Sequence, residues 1–184
     1  TTEIYTLSLH DALPIYYADA LKAFRSAGQS AKFFKSSYGY ALFPTIGKGG
    51  IGIGGAHGSG RVYTKGAHVG DTTMAQLTVG LQLGGQAFSQ IIFFENKRAF
   101  DEFTGGNFEF GAQATAVAIT AGASAQASTT GTGTSAGGSA GTSTTASVGY
   151  HNGMAVFTIA KGGLMYEATL GGQKFSYTPK GAAK

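Results

Sequence analysis

The sequence predicts an α+β domain: a mostly antiparallel β-sheet or sandwich, covered by N-terminal helices and one short internal helix. Three observations predict it. Helical periodicity is confined to the early part of the chain and to one short internal segment. Elsewhere the apolar residues alternate at strand spacing. Glycine, 31 of 184 residues, punctuates those strands, and a residue without Cβ permits turns and close strand approach.

The elements follow in chain order. Residues 1–15, TTEIYTLSLHDALPI, resemble one reading frame of a common short-read sequencing adapter in translation. They are set aside from the fold, with no role expected of His10 or Asp11. The native N-terminus, with any export signal or lipidated cysteine, is expected to have been lost with that segment. The domain is taken as residues 16–178 and the tail as 179–184. Residues 16–27 read as a helix, with Tyr17, Leu21 and Phe24 on one face and Lys22 and Arg25 beside it. Gly28 ends it. Ser30 is placed to cap a second short helix through Tyr38, which offers Phe33 and Phe34, with Lys32 and Lys35 outside. A basic helix with an aromatic face can lie on a membrane or dock on its own core. Docking is the favoured reading. Lys22, Arg25, Lys32, Lys35, Phe33 and Phe34 are the candidate membrane contacts.

From Tyr40 the period becomes strand-like. Residues 40–43 form a short strand, and 51–57 a glycine-spaced one. Residues 61–63 and 67–69 make a hairpin around Thr64-Lys65-Gly66. In residues 72–83 small or polar residues alternate with Met74, Leu77, Val79, Leu81 and Leu83, and the spacing of two from Leu77 onward predicts one apolar face. Residues 86–94 end in Ile91-Ile92-Phe93-Phe94, the expected centre of the core. Asn96 caps a helix over 97–103, with Ala99, Phe100 and Phe103 buried, closed by Gly105-Gly106. Residues 107–128 read as a long alanine-rich strand. Residues 129–141, all Thr, Gly, Ser and Ala, are a low-complexity loop. Residues 148–160, 164–170 and 173–177 complete the sheet.

Two segments echo earlier ones. Residues 41–51, ALFPTIGKGGI, are answered by 155–164, AVFTIAKGGL. Residues 83–89, LGGQAFS, are answered by 170–176, LGGQKFS. The echoes suggest two related hairpin units, each turning at Lys-Gly-Gly.

Composition excludes several functions. There is no cysteine, so no disulfide, thiolate metal site or cysteine nucleophile in this chain. Thirteen basic residues face nine acidic ones; without Glu3 and Asp11 the balance is 13 against 7, or +6. That excess suits an anionic membrane surface and is too diffuse to imply nucleic acid. No apolar run is long enough to span a bilayer.

The ordered motifs resemble the SYLF domain, also called the YSC84-type domain. An aromatic-rich helix leads into Gly39-Tyr40-Ala41-Leu42-Phe43-Pro44. Lys48-Gly49-Gly50-Ile51-Gly52 and Gly58-Ser59-Gly60 follow. Residues 81–95, LQLGGQAFSQIIFFE, resemble the family's glycine-glutamine strand, residues 96–107 its helix, and Lys161-Gly162-Gly163-Leu164 its C-terminal segment. The resemblance implies a non-enzymatic phospholipid-binding module without cofactor. In eukaryotic members a basic N-terminal helix contributes to phosphoinositide binding, and fungal members bind and bundle actin. Bacterial members are usually exported, often as lipoproteins. The long uncharged 111–149 region, with no attached partner domain, points to a bacterial exported protein, periplasmic or outer-membrane-associated, for which actin is an unlikely partner. A structural or self-assembling envelope protein is the alternative, with a homo-oligomer as its form.

Candidate site residues are few. Lys48 and Lys161 each precede Gly-Gly. If their hairpins are related by two-fold symmetry, the ammonium groups flank one concavity whose glycine amides form an anion nest. Arg61, Lys65 and Lys174 are secondary candidates for a lipid headgroup. Residues 50–55 fit G-x-G-x-x-G, but a nucleotide site needs a helix to start there, and Ala56-His57-Gly58-Ser59-Gly60 is a poor helix start. His57, His68, His151 and Asp71 are too scattered to commit to a metal, and Asp101, Glu102 and Glu109 look like surface carboxylates rather than a catalytic pair. No catalytic residue is assigned.

Overall fold

The computed structural model describes residues 9–80, 86–119, 149–161 and 170–182. In order it comprises α1 (Leu9–Ser26), α2 (Gly28–Ala31), α3 (Phe33–Ser36), β1 (Gly39–Thr64), β2 (Ala67–Gly80), β3 (Gln86–Phe94), α4 (Lys97–Thr104), β4 (Phe108–Glu109), β5 (Val117–Ile119), β6 (Met154–Lys161) and β7 (Lys174–Pro179). The strands form one seven-stranded sheet, ordered β4-β7-β2-β1-β3-β6-β5. Neighbours are antiparallel except β5 and β6, which are parallel. The expected class holds, as a single curled sheet rather than a sandwich.

The curl begins in β1. Its residues 39–48 pair with β3, and its residues 52–64 pair with β2. Strand structure continues through Lys48-Gly49-Gly50, so the tight turn expected there is displaced. The chain doubles back just beyond. A Cβ on Gly50, whose φ is +139°, would stand 2.5 Å from the Ile53 carbonyl oxygen. One on Gly58 would stand 2.9 Å from the Thr45 oxygen, and one on Gly60 2.8 Å from that of Leu42. Falling numbers meet rising ones, so the two arms of β1 run antiparallel. Residues with side chains could not approach so closely. The next reversal is the expected one at Lys65-Gly66. Both residues have positive φ, 50° and 78°, the pattern of a two-residue turn whose twist matches its strands. The G-x-G-x-x-G stretch lies within β1, and no helix starts there.

Side chains alternate between two faces. The inner face gathers Phe43, Ile46, Met74, Ile92, Phe94, Val156 and Phe175, with Ala99 and Phe103 of α4. Phe103 touches Phe94 on β3 and Phe175 on β7, with ring centroids 5.0 and 5.1 Å apart. Those strands are not neighbours in the sheet, so this face curls over α4. Gln90 and Gln173 bridge the same space, exchanging amide hydrogen bonds of 2.9 and 3.2 Å. The outer face gathers Tyr40, Leu42, Ile91, Phe93, Ala155, Phe157 and Ile159 beneath Tyr17, Ala20 and Phe24 of α1 and Phe33 of α3. Residues 91–94 are fully buried and serve both faces alternately, as the centre of the core should.

The N-terminal helices cover only part of the outer face. Over the second arm of β1 and over β2 and β7 it is open: His57, Ser59, Thr73, Ala75 and Ser176 are exposed. In the described part of β2 the apolar face expected from Leu77 onward is not the buried one, and Leu81 and Leu83 lie outside the described residues. Thr72, Met74 and Gln76 are buried, and Leu77 is 80% exposed. Register decides this, because Met74 lies opposite Gly58 on one side and Phe175 on the other, within the inner cluster. The buried polar residues of β2 are satisfied: Thr72 donates to the Ser176 carbonyl at 2.6 Å and Gln76 to that of Gly171 at 2.9 Å.

Other boundaries differ. α1 begins at Leu9 and runs through Pro14. The expected second helix is two short ones. Ser30 does not cap it; its buried hydroxyl donates to the Phe24 carbonyl at 2.6 Å, locking α2 against α1. Asn96 does cap α4, accepting from the Ala99 amide at 3.0 Å. Over residues 107–119 the long strand expected to run to 128 is divided into β4 and β5, with a turn between them, and residues 120–128 lie outside the described residues. β6 starts at Met154 after a reversal at Asn152-Gly153. The low-complexity loop 129–141, the Gly162-Gly163 turn, the strand over 164–170 and the Leu83-Gly84-Gly85 echo lie largely or wholly outside the described residues.

Candidate functional site

The basic residues expected to matter are concentrated where α1 and α3 meet the outer face. Lys22, Arg25, Lys32 and Lys35 are exposed. Phe33 is not: it is 3% exposed and packs on Phe93, Tyr150 and Phe157 at 5.6, 5.1 and 5.2 Å. Phe34 packs edge-on against Tyr40 and Phe93. In this docked state the two rings face the sheet, not a bilayer. Burying such a ring is worth about 1.5–3 kcal/mol, which outweighs leaving it in water. The rings in turn hold cations at the surface. The Arg25 guanidinium sits 4.8 Å from the Phe34 ring centre and the Lys32 ammonium 5.3 Å from that of Phe33.

Arg25 and Arg61, remote in sequence, are brought to one aromatic cluster. The Arg61 guanidinium lies 4.2 Å over the Tyr17 ring. Tyr40 and Tyr63 stack at 5.1 Å with planes 23° apart. Burial raises the Tyr40 phenol pKa, and the nearby Arg25 guanidinium opposes the rise. Burial likewise raises Tyr63, opposed by Arg61. Burial pushes Tyr17 up to about 12, again against Arg61. The phenols therefore stay neutral at physiological pH, and both guanidinium charges remain uncompensated by them. The sequence reading missed this cluster because Tyr17, Tyr40 and Tyr63 sit on three segments with no shared spacing.

Lys48 and Lys161 do not share a hollow. They lie at the same end of the sheet on either side of β3. Lys48 is opposite Gln86 and Lys161 opposite the next residue, Ala87. Adjacent residues of a strand point to opposite faces, so Lys48 belongs to the inner side and Lys161 to the outer. Lys161 reaches across β3 to donate to the Thr45 hydroxyl at 2.7 Å. Lys174 is on the outer side, 3.9 Å from the Glu109 carboxylate. Lys65 is exposed at its turn.

The carboxylates are placed differently. On α4 Lys97 pairs with Asp101 at 2.6 Å and Arg98 with Glu102 at 3.9 Å. Asp71 pairs with His68 at 2.9 Å. Among the described residues, no carboxylate lies within ion-pairing distance of Lys22, Arg25, Lys32, Lys35 or Arg61. His57 stands opposite Ala75 in the open strip and His151 in the turn before β6. Among the described residues no three metal-ligating groups gather. No described helix is long and apolar enough to cross a membrane.

Comparison with known proteins gives two matches. The Ysc84 family model, described as Las17-binding protein actin regulator, matches residues 75–178. Beta cell expansion factor A of Aeromonas veronii is 28% identical over 159 residues, covering 84% of this chain and 51% of that protein. The chain thus spans about half the length of this curated relative. The family match runs from within β2 to β7, more than half of the chain, and takes in β3, α4 and β4 to β7: the chain belongs to the Ysc84, or SYLF-domain, family.

Proposed function

We propose that this protein is a non-enzymatic module that binds anionic phospholipid surfaces through the outer, helix-bearing side of its sheet. One observation carries the proposal: among the described residues Lys22, Arg25, Lys32, Lys35 and Arg61 have no carboxylate within ion-pairing distance, while both cations of α4 are paired. Unpaired surface cations attract an anionic bilayer, each contributing about 1 kcal/mol near the surface. The buried rings of Phe33 and Phe34 serve as the base that fixes the cations outward. Lys161 adds to the same side, whereas Lys48 does not. An exported, membrane-peripheral setting fits this chemistry.

Co-sedimentation with vesicles tests it. Vesicles rich in phosphatidylglycerol should retain the protein and neutral phosphatidylcholine vesicles should not. Retention should weaken with salt, as screening of exposed charge requires. Equal recovery with both lipids, or with neither, overturns the proposal. Actin filaments in a parallel sedimentation test the activity named in the family description.

A further inference from the structure

The open strip on the outer face carries two exposed aliphatic side chains, Ile53 at 70% and Leu77 at 80%. Cross-strand register places Leu77 opposite Gly55, two residues from Ile53 on the same face. The two side chains are therefore diagonal neighbours, about 7–8 Å apart at the backbone. Gly55 between them adds no bulk, so together they form one apolar patch. Large exposed apolar residues in a cluster mark a surface that meets something apolar.

We infer that Ile53 and Leu77 enter the apolar margin of a lipid bilayer and form a foot for the basic side of the molecule. The inference rests on the lipid reading above and names where that surface penetrates. Continuity and charge favour a bilayer as occupant. The foot is on the same face as Arg61 and Lys161, and on the side where Lys22, Arg25, Lys32 and Lys35 have no ion-pair partner among the described residues. Ile53 is eight residues from Arg61 along β1, about 26 Å. α1, about 10 Å thick, rises from that face beside Arg61. The helix ridge beside Arg61 marks the cationic end of this face, and Ile53 and Leu77 its apolar end. The cations meet headgroups along the ridge, and the aliphatic pair reaches below them.

The chain has no tryptophan, so a single introduced indole reports its own surroundings. Leu77→Trp replaces an exposed side chain and should fold. On adding phosphatidylglycerol vesicles its emission should shift to the blue, and lipids brominated on the acyl chain should quench it. Asn107→Trp, exposed just after α4, should show neither effect. Ile53→Ser with Leu77→Ser should lower vesicle affinity at least about tenfold without changing the melting temperature. If Leu77→Trp co-sediments with the vesicles but is neither shifted nor quenched, insertion is overturned and surface attraction stands. If the unaltered protein does not co-sediment, the lipid reading and this inference fall together. If the double serine variant binds vesicles normally and instead loses a dimer seen by light scattering, the patch is covered by a second copy and the inference is wrong.

Discussion

The two faces of one sheet are covered by helices of different electrical character, one charge-balanced and the others cationic. On the inner face α4 sends Ala99 and Phe103 into the core and turns Lys97, Arg98, Asp101 and Glu102 outward, as two ion pairs. On the outer face α1 and α3 send Tyr17, Phe24 and Phe33 inward and turn out cations with no carboxylate partner among the described residues. The packing logic is shared, since each helix buries an aromatic stripe. Exposed i,i+4 pairs add only about 0.3–0.5 kcal/mol, so stability does not explain the contrast. Uncompensated charge costs little in water and becomes useful only near an anionic partner. The difference is what supports placing the proposed lipid contact on the outer side, with the inner side holding the fold.

The sharpest way to break this comparison is to ask whether Phe33 belongs to the fold or to a membrane. Its ring contacts Phe93, Tyr150 and Phe157. Phe33→Ala should cost about 3–5 kcal/mol of unfolding free energy, the range for a core phenylalanine, and Phe103→Ala on the inner face should cost a similar amount. Urea titration measures both. If Phe33→Ala leaves stability unchanged and abolishes vesicle binding, α3 leaves the sheet and the two covers are not equivalent.

Charge removal comes next. Lys22→Gln, Arg25→Gln, Lys32→Gln and Lys35→Gln together should weaken binding to anionic vesicles by up to roughly a thousandfold, from about 1 kcal/mol per cation. The matched test is finer. Lys32→Gln with Lys35→Gln removes the same charge as Lys97→Gln with Arg98→Gln. The first pair should cost roughly ten- to thirtyfold and the second under about threefold. Equal losses would mean that net charge alone governs binding and that neither face is special.

Much of this contrast was legible in the sequence. The stripe of Tyr17, Leu21 and Phe24, the Asn96 cap and the Ile91-Ile92-Phe93-Phe94 centre follow from local periodicity, which is enough when an element buries one face. The basic residues of α1 and α3 were identified one by one for the same reason. What failed depended on register. Lys48 and Lys161 matched as motifs, yet a one-residue offset against β3 put them on opposite faces. The apolar face that the spacing from Leu77 predicts is not the buried one, because Met74 and Gln76 take the inner face through their partners on β1 and β7. Arg61 met Tyr17 only because β1 doubles back beneath α1, a long-range event that no local pattern encodes.

That doubling back can be tested at Gly60, where the two faces are joined through one strand. A Cβ there would stand 2.8 Å from the Leu42 carbonyl oxygen and 2.7 Å from the Phe43 ring. Gly60→Ala should therefore force the arms apart and cost about 1–3 kcal/mol, as overpacking does. Gly47→Ala is the control, since open space surrounds that position. Equal melting temperatures for the two variants would show that the arms are not pressed together.

The smallest effect concerns the docking of α1. The Tyr17 phenol titrates near 12 rather than 10 because burial disfavours its anion, despite the Arg61 cation above it. The folded protein thus holds this proton more tightly than the unfolded chain. Its contribution is complete below pH 10 and is lost progressively as pH rises through 12, because only the unfolded state then ionises freely. Tyr40 and Tyr63 are shifted in the same direction by burial, so Tyr17→Phe should reduce the alkaline loss without abolishing it. Urea midpoints at pH 9 and pH 11 supply the comparison. The drop between them should be smaller in Tyr17→Phe than in the unaltered protein. An unchanged drop would mean that α1 leaves the sheet before the phenol ionises, so that the cations on its surface are not held on a fixed ridge.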